Sequence, residues 1–423
     1  MSRSDHRGQF VTGASDKALD RFEDALVVVQ RYVGDPFAPL DEALADSPDF
    51  AMAHALKAYL FLCGSEAAGV GRAQEIIPAL RKTAKTDREK LHLVAIESYA
   101  TGDFEGATER LEDILIAHPR DVVALQQAHL LDFYRGDARN LRDRVARVRH
   151  AWSGTLPGYH AVLAMHAFGL EECGDYARAE EIGRAAIDLE PRDTWAQHAV
   201  AHVMEMQGRR ADGIRWMRER ERYWSPDSFF AVHNWWHLAL YHLDLDSVTE
   251  ALDIYDTQIW RGASGVALDM VDASAMLWRM HLRGIDLAGR WSAVAEAWAP
   301  TACDGWYAFN DVHAMMAFVG AGRWDLADRQ LLTLRRRVER NGTNQMMTRD
   351  VGLPLARALY AFGRGDYSTA VSLLRPLRSI ANRFGGSHAQ RDLIDQTLIA
   401  AADRAGQSLL ADALRRERAE RIQ

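Results

Sequence analysis

Only three cysteines, Cys63, Cys173 and Cys303, occur in the 423-residue chain, far apart and without a Cys-x-x-Cys pair. That spacing excludes a zinc ribbon and a disulfide framework, and it is the usage expected of a reducing, cytoplasmic setting. No stretch approaches the roughly 18 uninterrupted apolar residues of a spanning helix. The polar start, Met1 to Ser15, lacks the apolar core of a signal peptide and reads as disordered. A soluble protein with no membrane partner is expected. Neither charge sign dominates: 51 Lys and Arg stand against 59 Asp and Glu, a net charge of -8, with both signs interspersed. Nucleic acid is therefore not an expected partner, and basic runs such as Arg335 to Arg337 read as solvated helix faces. The chain also lacks HExxH, GxSxG, GxGxxG and an EF-hand loop, which removes the most recognisable metalloprotease, esterase, dinucleotide and calcium signatures.

What is present is helical periodicity. Apolar residues recur as in Ala107, Leu111, Ile114 and Leu115, and no alternating Val/Ile/Thr-rich run bounded by turn residues stands out. The fold class is all-α. A longer period lies over the first. Glycines of helix-end type stand at Gly102, Gly136, Gly174 and Gly208, two of the three spacings matching the roughly 34 residues of a tetratricopeptide unit. Five residues after such glycines comes a small residue, at Ala107, Ala179, Gly213, Ala327 and Ala370, where two antiparallel helices can approach closely. Second helices end at proline followed by an acidic residue, in Pro48-Asp49, Pro119-Arg120-Asp121, Pro191-Arg192-Asp193 and Pro226-Asp227. Proline stops one helix and the aspartate can cap the next.

The expected architecture is a tetratricopeptide-like helical-repeat superhelix, an α-solenoid with a concave groove or central pocket. After a disordered 1–15, residues 16–423 form a single domain, with regular repeats over about 86–222, Trp- and His-rich modified repeats over about 223–300, and C-terminal repeats over about 305–415.

Several stretches are more distinctive than the period. His166-Ala-Phe-Gly-Leu-Glu-Glu, Trp195-Ala-Gln-His-Ala-Val-Ala-His-Val-Met-Glu, His233-Asn-Trp-Trp-His-Leu-Ala-Leu-Tyr, Phe309-Asn-Asp-Val-His and Gly385-Gly-Ser-His-Ala-Gln-Arg-Asp resemble the tetratricopeptide repeat protein 38 family over nearly the whole chain. The resemblance implies a helical-repeat protein and brings no settled reaction with it. The sequence departs from that family at His388, where asparagine is common.

Candidate chemistry gathers on two segments. His198, His202 and Glu205 are spaced i, i+4 and i+7, one stripe of a helix, and His233 and His237 repeat the i, i+4 spacing in the following unit. Neutral imidazoles with a carboxylate could hold a divalent transition metal, the one cofactor class these residues point to, or His202, Glu205 and His237 could transfer protons in a hydrolase or lyase. The plainer reading is groove-lining and inter-helix hydrogen bonding. Further ligand-binding candidates are His166, Trp236, Asp272, Asn310, Asp311, His313 and Arg391. Asp272 sits in an apolar stretch and needs a partner, for which Arg279 or a histidine of the preceding repeat is available. Ser387 can cap a helix behind the Gly385-Gly386 loop, and Arg391 could join that helix N-terminus in holding an anion. A His-, Trp-, Asp- and Glu-lined surface suits a small molecule better than an extended peptide. The function expected is therefore small-molecule or peptide binding in a concave pocket. Catalysis is one alternative and a protein-interaction scaffold another.

Overall fold

A computed structural model describes residues 3–262 and 264–420, and these are almost entirely helical. The helices, in chain order, are α1 (Asp16–Arg31), α2 (Phe37–Asp46), α3 (Ala51–Cys63), α4 (Ala67–Thr83), α5 (Asp87–Ala100), α6 (Phe104–Ala117), α7 (Val122–Tyr134), α8 (Ala138–Val148), α9 (Tyr159–Glu172), α10 (Tyr176–Leu189), α11 (Thr194–Met206), α12 (Arg210–Trp224), α13 (Ala231–Asp244), α14 (Val248–Ile254), α15 (Ala267–Leu282), α16 (Arg290–Trp298), α17 (Ala308–Gly320), α18 (Trp324–Val338), α19 (Thr343–Met347), α20 (Leu353–Gly363), α21 (Tyr367–Leu377), α22 (His388–Arg404) and α23 (Ser408–Glu420). Consecutive helices pack in pairs, such as α3 with α4, α5 with α6 and α9 with α10, as in a helical repeat. Among the described residues no helix is long and apolar enough to cross a membrane.

The punctuation read from the sequence has a direct physical counterpart. Gly102, Gly136, Gly174 and Gly208 adopt φ of 82°, 62°, 81° and 70° in the turns that join two helices of a pair. A side chain there would be strained. Ala107, Ala179, Ala327 and Ala370 are fully buried, and a Cβ added at Gly213 would come within 2.4 Å of the Tyr241 ring.

Asp121 and Asp193 cap the helices that follow them, their Oδ1 atoms accepting from Ala124 N at 2.9 Å and Ala196 N at 2.8 Å. Each also spends its second oxygen on the preceding pair. Asp121 Oδ2 accepts from Arg88 Nε at 2.5 Å and His92 Nε2 at 3.0 Å, and Asp193 Oδ2 accepts from His160 Nδ1 at 2.7 Å. One residue thus starts a helix and ties two repeats together. Asp227 differs: its φ is 57° and its carbonyl accepts from Gly34 N.

Contacts divide the chain into two compact units. The first takes in Met1–Phe133, Asp137–Val203 and Met217–Ala231, the second Tyr134–Gly136, Met204–Trp216 and Val232–Gln423.

In the first unit the described part of the N-terminal segment is packed against α1 and α5. Strands β1 (Arg3–Ser4) and β2 (Phe10–Val11) pair antiparallel, Arg3 opposite Val11. Between them Asp5 Oδ1 accepts from Arg7 N and Gln9 N, and buried Arg7 donates to Glu23 of α1 at 2.6 Å. Thr12 donates through N and Oγ1 to Glu89 of α5, each at 2.8 Å. Ser15 caps α1, whose end runs past α7 and α11: Val29 O accepts from Gln126, Arg31 O from Thr194, and Tyr32 stacks on Trp195 at 5.6 Å.

In the second unit α15 is central, packed against α16, α17 and α22. Trp278 Nε1 of α15 donates to Thr397 Oγ1 of α22 at 3.0 Å, and Ser274 Oγ of α15 accepts from Trp298 Nε1 at 2.9 Å. Helix α22 opens with a capping box of Ser387 and Gln390, the role expected for Ser387.

Candidate functional site

Helix α13 carries His233, Trp236 and His237 on one side. The His233 and His237 rings meet edge to face at 4.9 Å, and Trp236 stacks on His233 at 5.4 Å with an interplanar angle of 12°. Each imidazole is held by a carboxylate. His237 Nδ1 donates to Glu205 Oε2 at 2.7 Å, and His233 Nδ1 donates to both oxygens of Asp272 at 2.9 Å. An ionised carboxylate only accepts, so the proton sits on Nδ1 and Nε2 carries the lone pair in each neutral ring. Asp272, on the buried face of α15, thus has the histidine of the preceding pair as its partner, one of the two residue types expected for it.

Arg279, one of the two candidates for that role, does something else. It is 3 % exposed, donates to Ala275 O at 3.2 Å and Ala389 O at 2.6 Å, and lies over the Trp236 ring. Among the described residues it makes no ion pair within 4.0 Å. Burial pushes its pKa below the ordinary arginine value, partly opposed by the fields of Asp392, Glu205 and Asp244. It remains a cation, as arginine does throughout the working pH range.

Arg279 lines a cavity of about 90 Å³ together with Glu205, Arg210, Asp244, His388, Asp392, Arg418, Gln396 and a few apolar neighbours. That is room for several waters or a small organic molecule. The carboxylates of the wall are largely engaged. Asp244 accepts from Arg210 at 3.3 Å and from Arg283 at 2.8 Å. Asp392 accepts from Arg418 at 2.6 Å, and although burial opposes its ionisation, Arg418 holds its pKa below the usual carboxylate value. Of the expected catalytic residues, Glu205 lines this cavity, while His237 stands behind it with no exposed surface.

The remaining candidates are not in the lining of this cavity. In the second unit Asn310, Asp311 and His313 lie on α17 and do not line the cavity. Asp311 Oδ1 accepts from Gln330 Nε2 at 2.8 Å, and burial pushes its pKa up to about 7. Burial pushes His313 down to about 4, with its Nδ1 hydrogen given to Phe309 O at 2.8 Å. Arg391 donates to Gly386 O, inside the loop that was a candidate anion site.

In the first unit His166 accepts from Arg149 at 3.0 Å, and burial with that neighbouring charge lowers its pKa to about 4. His198 and His202 lie one turn apart on α11 with ring centroids 4.4 Å apart, among Phe168, Trp195 and Phe230. His202 Nδ1 is 3.6 Å from Glu171 Oε2 at the end of α9, where Glu172 follows. Thus His198 and His202 belong to the first unit, and Glu205, His233 and His237 to the second.

Glu171, Glu172, Arg279, Asp392 and Arg418 were not among the expected site residues. Glu171 and Glu172 close the distinctive His166 stretch, a signal that was present. Arg418 sits in a charged tail and carries no local signal. The sequence matches no known protein-family model.

Proposed function

We propose that the protein binds a small polar molecule through an anionic group, carboxylate or phosphate, in the cavity of the second unit. The observation that carries this reading is Arg279, a buried guanidinium held by two carbonyls and an indole beside a cavity whose aspartates already have arginine partners. A buried charge is costly unless an opposite charge completes it, and a ligand anion in the cavity supplies one with planar, charge-assisted hydrogen bonds. His388, the position that differs from the resembled family, adds a further donor or acceptor to the same wall.

A second reading, a hydrolase or lyase, is favoured by the Glu205–His237 pair. In that reading Glu205, which lines the cavity, is the proton acceptor and His237 positions it from behind. If a bound molecule is turned over, Glu205→Gln abolishes turnover and keeps binding.

The repeat type belongs with these proposals. Paired helices, positive-φ glycines and aspartate caps shared between pairs support a tetratricopeptide-like array, and the quoted motifs support the resemblance to the tetratricopeptide repeat protein 38 family.

Titration calorimetry with inorganic phosphate and with succinate tests the binding reading. Saturable binding of either probe, weakened at least tenfold in Arg279→Gln, is expected. No saturable heat with both probes, or unchanged affinity in the variant, overturns it.

A further inference from the structure

The first unit contains a second constellation, apart from the residues of the cavity. Glu171 and Glu172 end α9, and His202 projects from α11. All three are buried, and one ligand atom from each lies within 4.8 Å of the others. We infer that Glu171, Glu172 and His202 hold a divalent first-row transition ion.

The donor chemistry fits such an ion. Two carboxylates and one imidazole combine hard oxygens with a borderline nitrogen, a set taken by zinc, manganese and ferrous iron. Metal–ligand bonds of about 2.0–2.2 Å place neighbouring ligand atoms roughly 3–4 Å apart, so small side-chain rotations close the set. The charge fits as well, because two ionised carboxylates on a neutral imidazole balance a divalent cation. Aromatic side chains shape the surroundings. Phe168 meets His202 edge to face at 5.3 Å and stacks on His198 at 5.5 Å, a dry wall that strengthens the ion's hold on its ligands. His198, one turn before His202 on the same stripe of α11, supplies a neighbouring imidazole.

This site does not rest on the anion reading, and its test is separate. Untagged protein is stripped with chelator, titrated with Co²⁺ followed by absorption spectroscopy, and reloaded with Zn²⁺ or Mn²⁺ for elemental analysis. One ion per chain is expected, with visible cobalt bands, and Glu171→Gln, Glu172→Gln and His202→Asn should each weaken binding at least tenfold. Circular dichroism establishes that the variants fold, and if one does not, the wild-type titration decides alone. No stoichiometric ion in the wild type after reloading, or full retention in all three folded variants, overturns the assignment.

Discussion

Arg279 lies over the indole of Trp236, its guanidinium carbon 5.1 Å from the ring centroid. The stacking sets the plane in which the guanidinium meets the cavity. A desolvated contact of this kind is worth roughly 0.5–2 kcal/mol. Trp236→Leu should therefore weaken phosphate binding by between about twofold and thirtyfold, and Trp236→Phe should retain most of it. Calorimetry on the folded variants measures both, and equal affinities across the three proteins would remove the stacking role.

The two carboxylate–imidazole pairs make a prediction about protons. His233 and His237 should both be Nδ1–H tautomers when neutral, because Asp272 and Glu205 accept at that nitrogen. Nitrogen-15 NMR distinguishes the two ring nitrogens directly. Asp272→Ala should return His233 to the commoner Nε2–H form and leave His237 unchanged. Detection of Nε2–H at both rings in the wild type would contradict the assigned geometry.

In the first unit, Asp121 ties Arg88 and His92 to the start of α7. Burial opposes its ionisation, and the Arg88 guanidinium together with the hydrogen bond from His92 outweighs burial and holds its pKa well below the ordinary value. A lowered carboxylate pKa stabilises the fold above the unfolded-state value near 4, and that stability is lost as pH falls below it. Arg88→Met leaves the buried carboxylate without its main partner and should cost about 3–5 kcal/mol at pH 7 by urea denaturation. The loss should shrink as pH falls below about 4. A cost under about 1 kcal/mol would show that the network is not structural.

Asp311 has the opposite sign. Burial raises its pKa to about 7, so it is protonated in the fold under conditions where the unfolded chain has already ionised. Its contribution is complete below about pH 4 and is lost as pH rises through about 7, by at most the order of 4 kcal/mol. Asp311→Asn imitates the protonated form and keeps an acceptor for Gln330. It should raise stability at pH 8 and flatten the slope between about pH 4 and 7. A variant whose pH–stability profile superimposes on the wild type would contradict this.

The local grammar of the chain was readable in its sequence. Gly102 and Gly174 mark turns because a positive φ is a local demand, and Asp121 and Asp193 cap helices because the N–H groups they serve lie three residues away. Asp227 has the same Pro-Asp signature but takes a left-handed conformation, and its carbonyl accepts a non-local bond from Gly34 N, neither of which the local sequence signals. Other non-local bonds carry no local signal either: Thr12 donates to Glu89 and Thr194 to the Arg31 carbonyl, partners that composition cannot reveal.

The candidate site divides along the same line. Histidine spacing on α11 and α13 was visible as helical stripes. The bond from Arg279 to the Ala389 carbonyl depends on α22 lying against α15, more than a hundred residues away in sequence, and the pairing of Asp392 with Arg418 on α23 joins residues 26 apart.

The most direct test of the anion site is anomalous diffraction from crystals soaked in selenate at several times the phosphate dissociation constant. A selenium peak about 4 Å from the Arg279 guanidinium nitrogens, which puts selenate oxygens at hydrogen-bond distance, absent in Arg279→Gln crystals, is the expected result. A fully soaked crystal with no anomalous density in that cavity would contradict the account.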